Sequence, residues 1–183
     1  MTAEDKRALL LVARHAIESS LYGSERTSAA QPTSAKDDRR GCFVTLRTKS
    51  GQLRGCIGTI GGGGLLSESV AELAREAAFA DPRFRPLTAR EWPTIITEVS
   101  VLTEPTPVKE YRSIDVGVDG VILTLGLKRA VFLPQVAREQ GWDLDQMLTH
   151  LSMKAGLAPD AYRNPHCRFE VFQAEVFSDE DQL

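Results

Sequence analysis

Leu53-Arg54-Gly55-Cys56-Ile57-Gly58-Thr59-Ile60 runs directly into four glycines, Gly61 to Gly64. The eight residues read as a strand, and the turn pair Ser50-Gly51 separates them from an equally strand-like stretch, Cys42 to Thr48. Two such runs joined by a short polar turn predict an antiparallel hairpin. Alternation then places Arg54, Cys56, Gly58 and Ile60 on one face and Leu53, Gly55, Ile57 and Thr59 on the other. A thiol and a guanidinium share a face. Glycine inside a strand marks a bulge or a close backbone approach, so Gly55 and Gly58 predict a neighbour that leaves no room for a side chain.

Outward from the hairpin, the apolar stripe Leu66, Val70, Leu73 and Ala77 predicts a helix over Leu65 to Ala80. Ser69 and Glu72 have capping-box spacing, which allows a later start. Asp81-Pro82 stops the helix. Ile95 to Leu102 is strand-like, with Ile96, Glu98, Ser100 and Leu102 on one face. Towards the N-terminus, Thr2 with an acid three residues on caps an amphipathic helix that ends near Tyr22-Gly23. Residues 23–41 carry no large apolar side chain and read as a mobile connector. Towards the C-terminus, Pro105 and Pro107 mark a connector, and Asp119-Gly120 a turn. Val121 to Leu125 and Ala130 to Leu133 form a second hairpin, and Pro134 opens a short helix to Gln140. Asp143 and Gln146 cap a helix that Gly156 ends. Phe169 to Phe177 reads as one last strand, before an acidic tail over 178–183. Hairpins with helices between them predict an α+β fold, antiparallel sheet with flanking helices, rather than a doubly wound parallel sheet.

At 183 residues, with 42% hydrophobic and 26% charged residues, the chain has the length and composition of one globular domain. A net charge of −3 argues against nucleic-acid binding through a broad basic field. Three scattered cysteines, Cys42, Cys56 and Cys167, contain no CxxC pair, so neither a disulfide framework nor a thiolate zinc site is expected. No metal and no other cofactor is expected. Reduced thiols, the absence of a signal-peptide pattern and the absence of a long apolar run predict a cytoplasmic protein without a membrane anchor.

Leu53-Arg54-Gly55-Cys56-Ile57-Gly58 resembles the signature of the AMMECR domain family, whose prokaryotic members are called AmmeMemoRadiSam system protein A. Further similar motifs follow in order: Ala77-Ala78-Phe79 with Asp81-Pro82-Arg83-Phe84 and Pro86-Leu87, then Glu98 to Leu102, Asp119-Gly120-Val121, Leu133 to Ala137, and Lys154 to Leu157. The resemblance covers nearly everything after Gly41. It implies a single AMMECR-type domain over 1–183, with a larger lobe around an antiparallel sheet, a smaller lobe, and the signature near a cleft between them. It also implies a setting beside Memo-like proteins and radical SAM enzymes, which makes both possible partners. The chain departs from the family pattern in two places. The glycine run replaces a longer charged loop, and Ser152 stands where many members carry a second cysteine, which argues against a paired-cysteine redox mechanism.

The expected catalytic residues are Cys56 as nucleophile, Glu98 as acid, base or orienting carboxylate, and Lys154 as a further charged group. The expected binding residues are Arg54, Gly55, Gly58, Thr59, Arg83, Phe84 and Gln135. A cysteine nucleophile needs a nearby cation, base or helix N-terminus, and Arg54 supplies charge from the same strand. Each residue also has an ordinary structural account. Cys56 can be a small buried hydrophobe, Glu98 an outward-facing strand residue, and Lys154 a partner for a helix C-terminus. His150 could serve as a base, but nothing in the sequence places it near Cys56. Three functions therefore stand open: a small-molecule enzyme or substrate-handling protein with a reactive Cys56, a non-catalytic adaptor that docks a protein or ligand, and, most weakly, an RNA- or nucleotide-binding protein using Arg39, Arg40, Arg47, Lys49 and Arg54.

Overall fold

A computed structural model of the chain describes residues 1–23 and 38–182. The fold is α+β with two antiparallel four-stranded sheets. It divides into two compact units, Met1–Leu102 with Glu175–Leu183, and Thr103–Ala174. Most of the expected connector, residues 24–37, lies outside the described residues.

In the first unit, α1 (Ala3–Tyr22) starts at a full capping box between Thr2 and Asp5 and ends at Gly23 in the left-handed region. The hairpin β1 (Cys42–Thr48) and β2 (Leu53–Thr59) forms as expected. Helix α2 (Leu66–Phe79) begins where its apolar stripe begins. The Ser69–Glu72 pair does not delay it, because the Ser69 amide already bonds the Leu65 carbonyl at 2.9 Å. Strand β3 (Ile95–Leu102) pairs with β1. Helices α1 and α2 pack together and against the sheet. Leu9, Leu10, Ile17, Val44, Leu46, Val70, Val99 and Trp92 make this unit's core.

The second unit has its own core, built from Val121, Leu123, Met147, Leu148, Leu151 and Phe169. A short strand β4 (Thr106–Val108) lies where a proline connector was expected. Pro107 is tolerated because β4 is an edge strand, where one missing N–H breaks no ladder on the open side. Strands β5 (Gly120–Leu125) and β6 (Lys128–Phe132) form the second hairpin. Helices α3 (Pro134–Gln140) and α4 (Leu144–Lys154) follow, the latter capped by Asp143 and Gln146.

The expected last strand is in fact two. Strand β7 (Arg168–Phe172) pairs with β4 and β5, whereas β8 (Ala174–Ser178) joins the first sheet, whose order is β2-β1-β3-β8. The break falls at Gln173, whose amide and carbonyl are taken by the Thr103 hydroxyl and amide at 2.9 and 2.8 Å. The apolar alternation changes phase here, from Phe169 and Val171 to Phe172, Ala174 and Val176, which is the sequence trace of the change of partner. Beyond β8, the short helix α5 (Asp179–Gln182) opens with Asp179, which pairs with Arg14 and accepts from the Thr97 amide.

Gly55 and Gly58 are both explained by what lies over them. A Cβ on Gly55 would collide with the Ala77 carbonyl of α2, and one on Gly58 with the Phe43 ring. Neither has a positive φ, so space is the constraint. Within the glycine run, Gly62 is likewise seated on the Arg39 carbonyl, while Gly61 and Gly63 face open space. Gly55→Ala must push α2 off β2, and the expected cost is about 1–3 kcal/mol, the usual range for overpacking. Chemical denaturation should show this loss for Gly55→Ala and no comparable loss for Gly63→Ala; equal stabilities would refute the close-approach account.

Candidate functional site

Strand β2 is an edge of the first sheet, so its outward backbone groups need partners. At Cys56 they are supplied by the segment that ends α2. The Cys56 amide donates to Asp81 Oδ2 at 2.9 Å, and the Arg83 Nη2 donates to the Cys56 carbonyl at 3.1 Å. Arg83 in turn grips both Asp81 oxygens, Nε to Oδ1 at 3.0 Å and Nη2 to Oδ2 at 2.7 Å, and its amide caps Oδ1 at 3.1 Å. The pair acts as a substitute strand one residue long. The Asp81 side chain is 2% exposed, while that of Arg83 is 53% exposed. The Arg83 hydrogen bonds, helped by the two amides and opposed by burial, hold the Asp81 carboxyl far below the usual aspartate range.

Because the Cys56 amide and carbonyl point outward, Cys56 and Thr45 are a non-hydrogen-bonded pair on β2 and β1, the arrangement that brings side chains closest. Thr45 Oγ1 donates to Cys56 Sγ at 3.3 Å. Thr45 is also the direct partner of Glu98 on β3, so Cys56, Thr45 and Glu98 form one row across three strands on one face. Thr45 is buried, and Cys56 and Glu98 are half-buried. Alternation had placed Cys56 and Glu98 each on a face. Thr45, the residue that joins them, was legible only once the register was known.

The alternation stops at Arg54. Register shifts by one between the Leu46–Gly55 and Arg47–Leu53 pairs, which leaves Arg54 unpaired on β1 and turns its side chain to its own surroundings. Its Nε and Nη2 bond Glu91 at 3.2 and 3.4 Å, and this contact, with two from Thr88, lowers the Glu91 carboxyl pKa. The Phe84 ring lies within cation–π reach of both Arg54, at 6.0 Å, and Arg83, at 5.4 Å. Arg54 Nη1 is buried without a hydrogen-bond partner. Arg83 touches Cys56 directly, through its hydrogen bond to the Cys56 carbonyl, whereas Arg54 bonds Glu91. Thr59 bonds the Gly61 carbonyl through its hydroxyl at 3.0 Å.

Lys154 and Gln135 belong to the second unit. Lys154 Nζ donates to the Val131 carbonyl at 2.9 Å and lies 4.9 Å from the Phe132 ring centroid, and partial burial lowers its pKa. Gln135 is half-buried in the first turn of α3. His150 stacks on Trp142 at 4.1 Å, and buried Ser152 bonds back to the Leu148 carbonyl. Of the other cysteines, buried Cys42 is pushed up to about 12 by burial, with a smaller push from Asp38, and burial also raises Cys167. Among the described residues no cluster of three or more His, Cys, Asp or Glu is placed to hold a metal ion, and no helix is long and apolar enough to cross a membrane.

Sequence reasoning missed Asp81, Glu91 and Thr45. In the sequence Asp81 stands as a helix stop and as part of the motif Asp81-Pro82-Arg83-Phe84, with no role of its own, yet its carboxylate organises the strand edge. The Asp81→Asn variant keeps one acceptor for the Cys56 amide but loses the charge that holds Arg83. We expect it to cost about 1.5–3 kcal/mol, the range for hydrogen bonds to charged groups. Since the folded-state pKa is depressed, this stabilisation is complete above the ordinary aspartate value of 3.8 and is lost as pH falls towards the folded value. Denaturation at several pH values should show a stability gap between wild type and Asp81→Asn that is constant near neutrality and narrows below that pH. A gap that widens in acid refutes the assignment.

Comparisons with known proteins agree with this architecture. The AMMECR1 family profile matches residues 10–177. A protein of Methanothermobacter thermautotrophicus is 43% identical over 189 residues, covering 98% of this chain and 97% of its own. Protein MJ0810 of Methanocaldococcus jannaschii is 39% identical over 186 residues, covering 98% of this chain and 92% of its own. The crystal structure of the uncharacterized protein PH0010 from Pyrococcus horikoshii superposes with a TM-score of 0.88 at 35% identity, over 98% of this chain and 94% of that one. Profile, relatives and solved structure agree over nearly the whole length: the chain belongs to the AMMECR1 family.

Proposed function

We propose that this chain is a small-molecule enzyme or substrate-handling protein whose reactive group is the Cys56 thiol. The observation that carries the reading is the row Cys56–Thr45–Glu98 on one sheet face, with the Cys56 main chain fixed by Asp81 and Arg83. A fixed main chain aims the sulfur, and Thr45 contacts it directly. On attack, sulfur forms its new bond to a carbonyl carbon of the substrate as the C=O π pair moves onto the oxygen. The thiol proton goes to the Glu98 carboxylate of the same row, and the Thr45 hydroxyl donates to the resulting thiolate. Arg83, half in solvent, and the unpartnered Arg54 Nη1 favour a substrate carrying an anionic group. A setting beside a radical SAM enzyme and a Memo-like protein rests on the family resemblance alone, and a cytoplasmic location, argued from the scattered thiols, completes the proposal.

A second reading, a non-catalytic adaptor, has one observation in its favour. Packing alone accounts for both signature glycines, Gly55 under α2 and Gly58 under Phe43. Bulky changes at those glycines would therefore unfold the unit under either reading and discriminate nothing. Alkylation does discriminate. Iodoacetamide should modify Cys56 in the folded chain at least about tenfold faster than in a denatured control at the same pH, as an activated thiolate requires. Thr45→Val and Glu98→Gln should each slow it. Peptide mass spectrometry reads the rate at Cys56 itself. Labelling no faster than the denatured control rules out the activated thiol and leaves the adaptor, for which Cys56→Ser retains full function.

A further inference from the structure

The second sheet carries a concentration of positive charge that the reading above does not use. Its strand order is β4-β7-β5-β6, and Thr124 on β5 is the direct partner of Arg129 on β6 and of Arg168 on β7. The three therefore form one row on one face, a hydroxyl between two guanidinium groups whose strands stand about 10 Å apart. This row lines a cavity of about 720 Å³ that Lys109, Cys167 and Glu170 also line. Three cations face one carboxylate there. Glu170 meets Arg129 at 3.6 Å, and among the described residues neither Arg168 nor Lys109 has an ion-pair partner. Glu170 offsets one of these charges, which leaves Arg168 and Lys109 with their donors open to a ligand.

We propose that this cavity is a binding site for a terminal phosphate group on a small molecule. A phosphate between the two guanidinium groups would accept from both forks and from the Thr124 hydroxyl, with Lys109 adding a point charge. The volume suits a phosphorylated metabolite-sized ligand, which lies within the range of small-molecule pockets. An extended nucleic acid is disfavoured, because it needs a long basic track and stacking aromatics, whereas here the charge is confined to one short row in a chain of net charge −3. The site lies wholly within Thr103–Ala174 and does not depend on Cys56.

Titration calorimetry of the full chain with inorganic pyrophosphate, glycerol 3-phosphate and an eight-nucleotide single-stranded RNA tests the proposal. One-to-one, saturable binding of pyrophosphate or glycerol 3-phosphate is expected, weakening as salt is raised. The Arg129→Ala/Arg168→Ala double variant should lose at least about tenfold in affinity. Both arginines are exposed, so this variant should keep the wild-type melting temperature, and Thr124→Val provides a second, uncharged probe with a smaller loss. In a Cys56→Ser background, pyrophosphate should also slow alkylation of Cys167, which reports occupancy of this cavity. No saturable binding of either phosphate compound, undiminished binding by the double variant, or binding of the RNA alone would each overturn the assignment.

Discussion

The Asp81 carboxylate is where the first unit is joined together. It lies just past the end of α2, and it terminates the hydrogen bonding of the β2 edge by accepting the Cys56 amide. Without that acceptor the strand edge at Cys56 would present an open donor, and Arg83 would lose the anion that orients it. The close approach of α2 to β2 at Gly55 makes the reach possible, since a side chain there would hold the helix away. Glycine, helix end, aspartate and arginine are thus one construction. The thiol is held in place by main-chain contacts on the outer side of its strand, which leaves its side chain to Thr45 and the sheet face.

This explains why the chemistry of the segment could be located from sequence but not assembled. Periodicity shows where β2 and β3 run and which residues alternate, because side-chain burial has period two in any half-buried strand. It cannot show which rows face each other, and Thr45 drew no notice as one threonine among apolar residues. It also cannot anticipate the register shift that sets Arg54 apart, since a bulge costs one residue and leaves the composition unchanged. Helix caps were legible at Thr2–Asp5 and Asp143–Gln146, where side-chain chemistry alone satisfies the first turn. The false cap at Ser69–Glu72 lost to an apolar stripe that begins three residues earlier. The division of the last strand shows in the sequence only as a change of phase at Phe172 with polar Gln173 and Glu175 beyond it, and period alone does not say that Phe169 and Phe177 belong to different cores.

Charge is partitioned in the same economical way. Most arginines near the thiol are already paired, Arg83 with Asp81 and Arg54 with Glu91, so the segment keeps its cations oriented without a large uncompensated field. The second sheet is the opposite case, with two guanidinium groups flanking a hydroxyl and a single carboxylate at a loose distance. Pairing and its absence mark different tasks. A paired cation is oriented first and has only its spare donors, such as Arg54 Nη1, left for a ligand, whereas an unpaired one keeps its full interaction energy.

The change of sheet at Gln173 also sets an order of events during synthesis. The first sheet takes its last strand from residues that leave the ribosome only after the whole of Thr103–Ala174 has been made. Until then β3 has an open edge, and Asp179 is not there to meet Arg14 or the Thr97 amide. The amino terminus likewise waits for Glu175, its partner in the finished protein. The second unit, by contrast, is continuous in sequence and has all its strands once Ala174 is made. The unit that emerges first is therefore the one completed last, and while residues 103–178 are being made it carries an unpaired strand edge of the kind that recruits other chains.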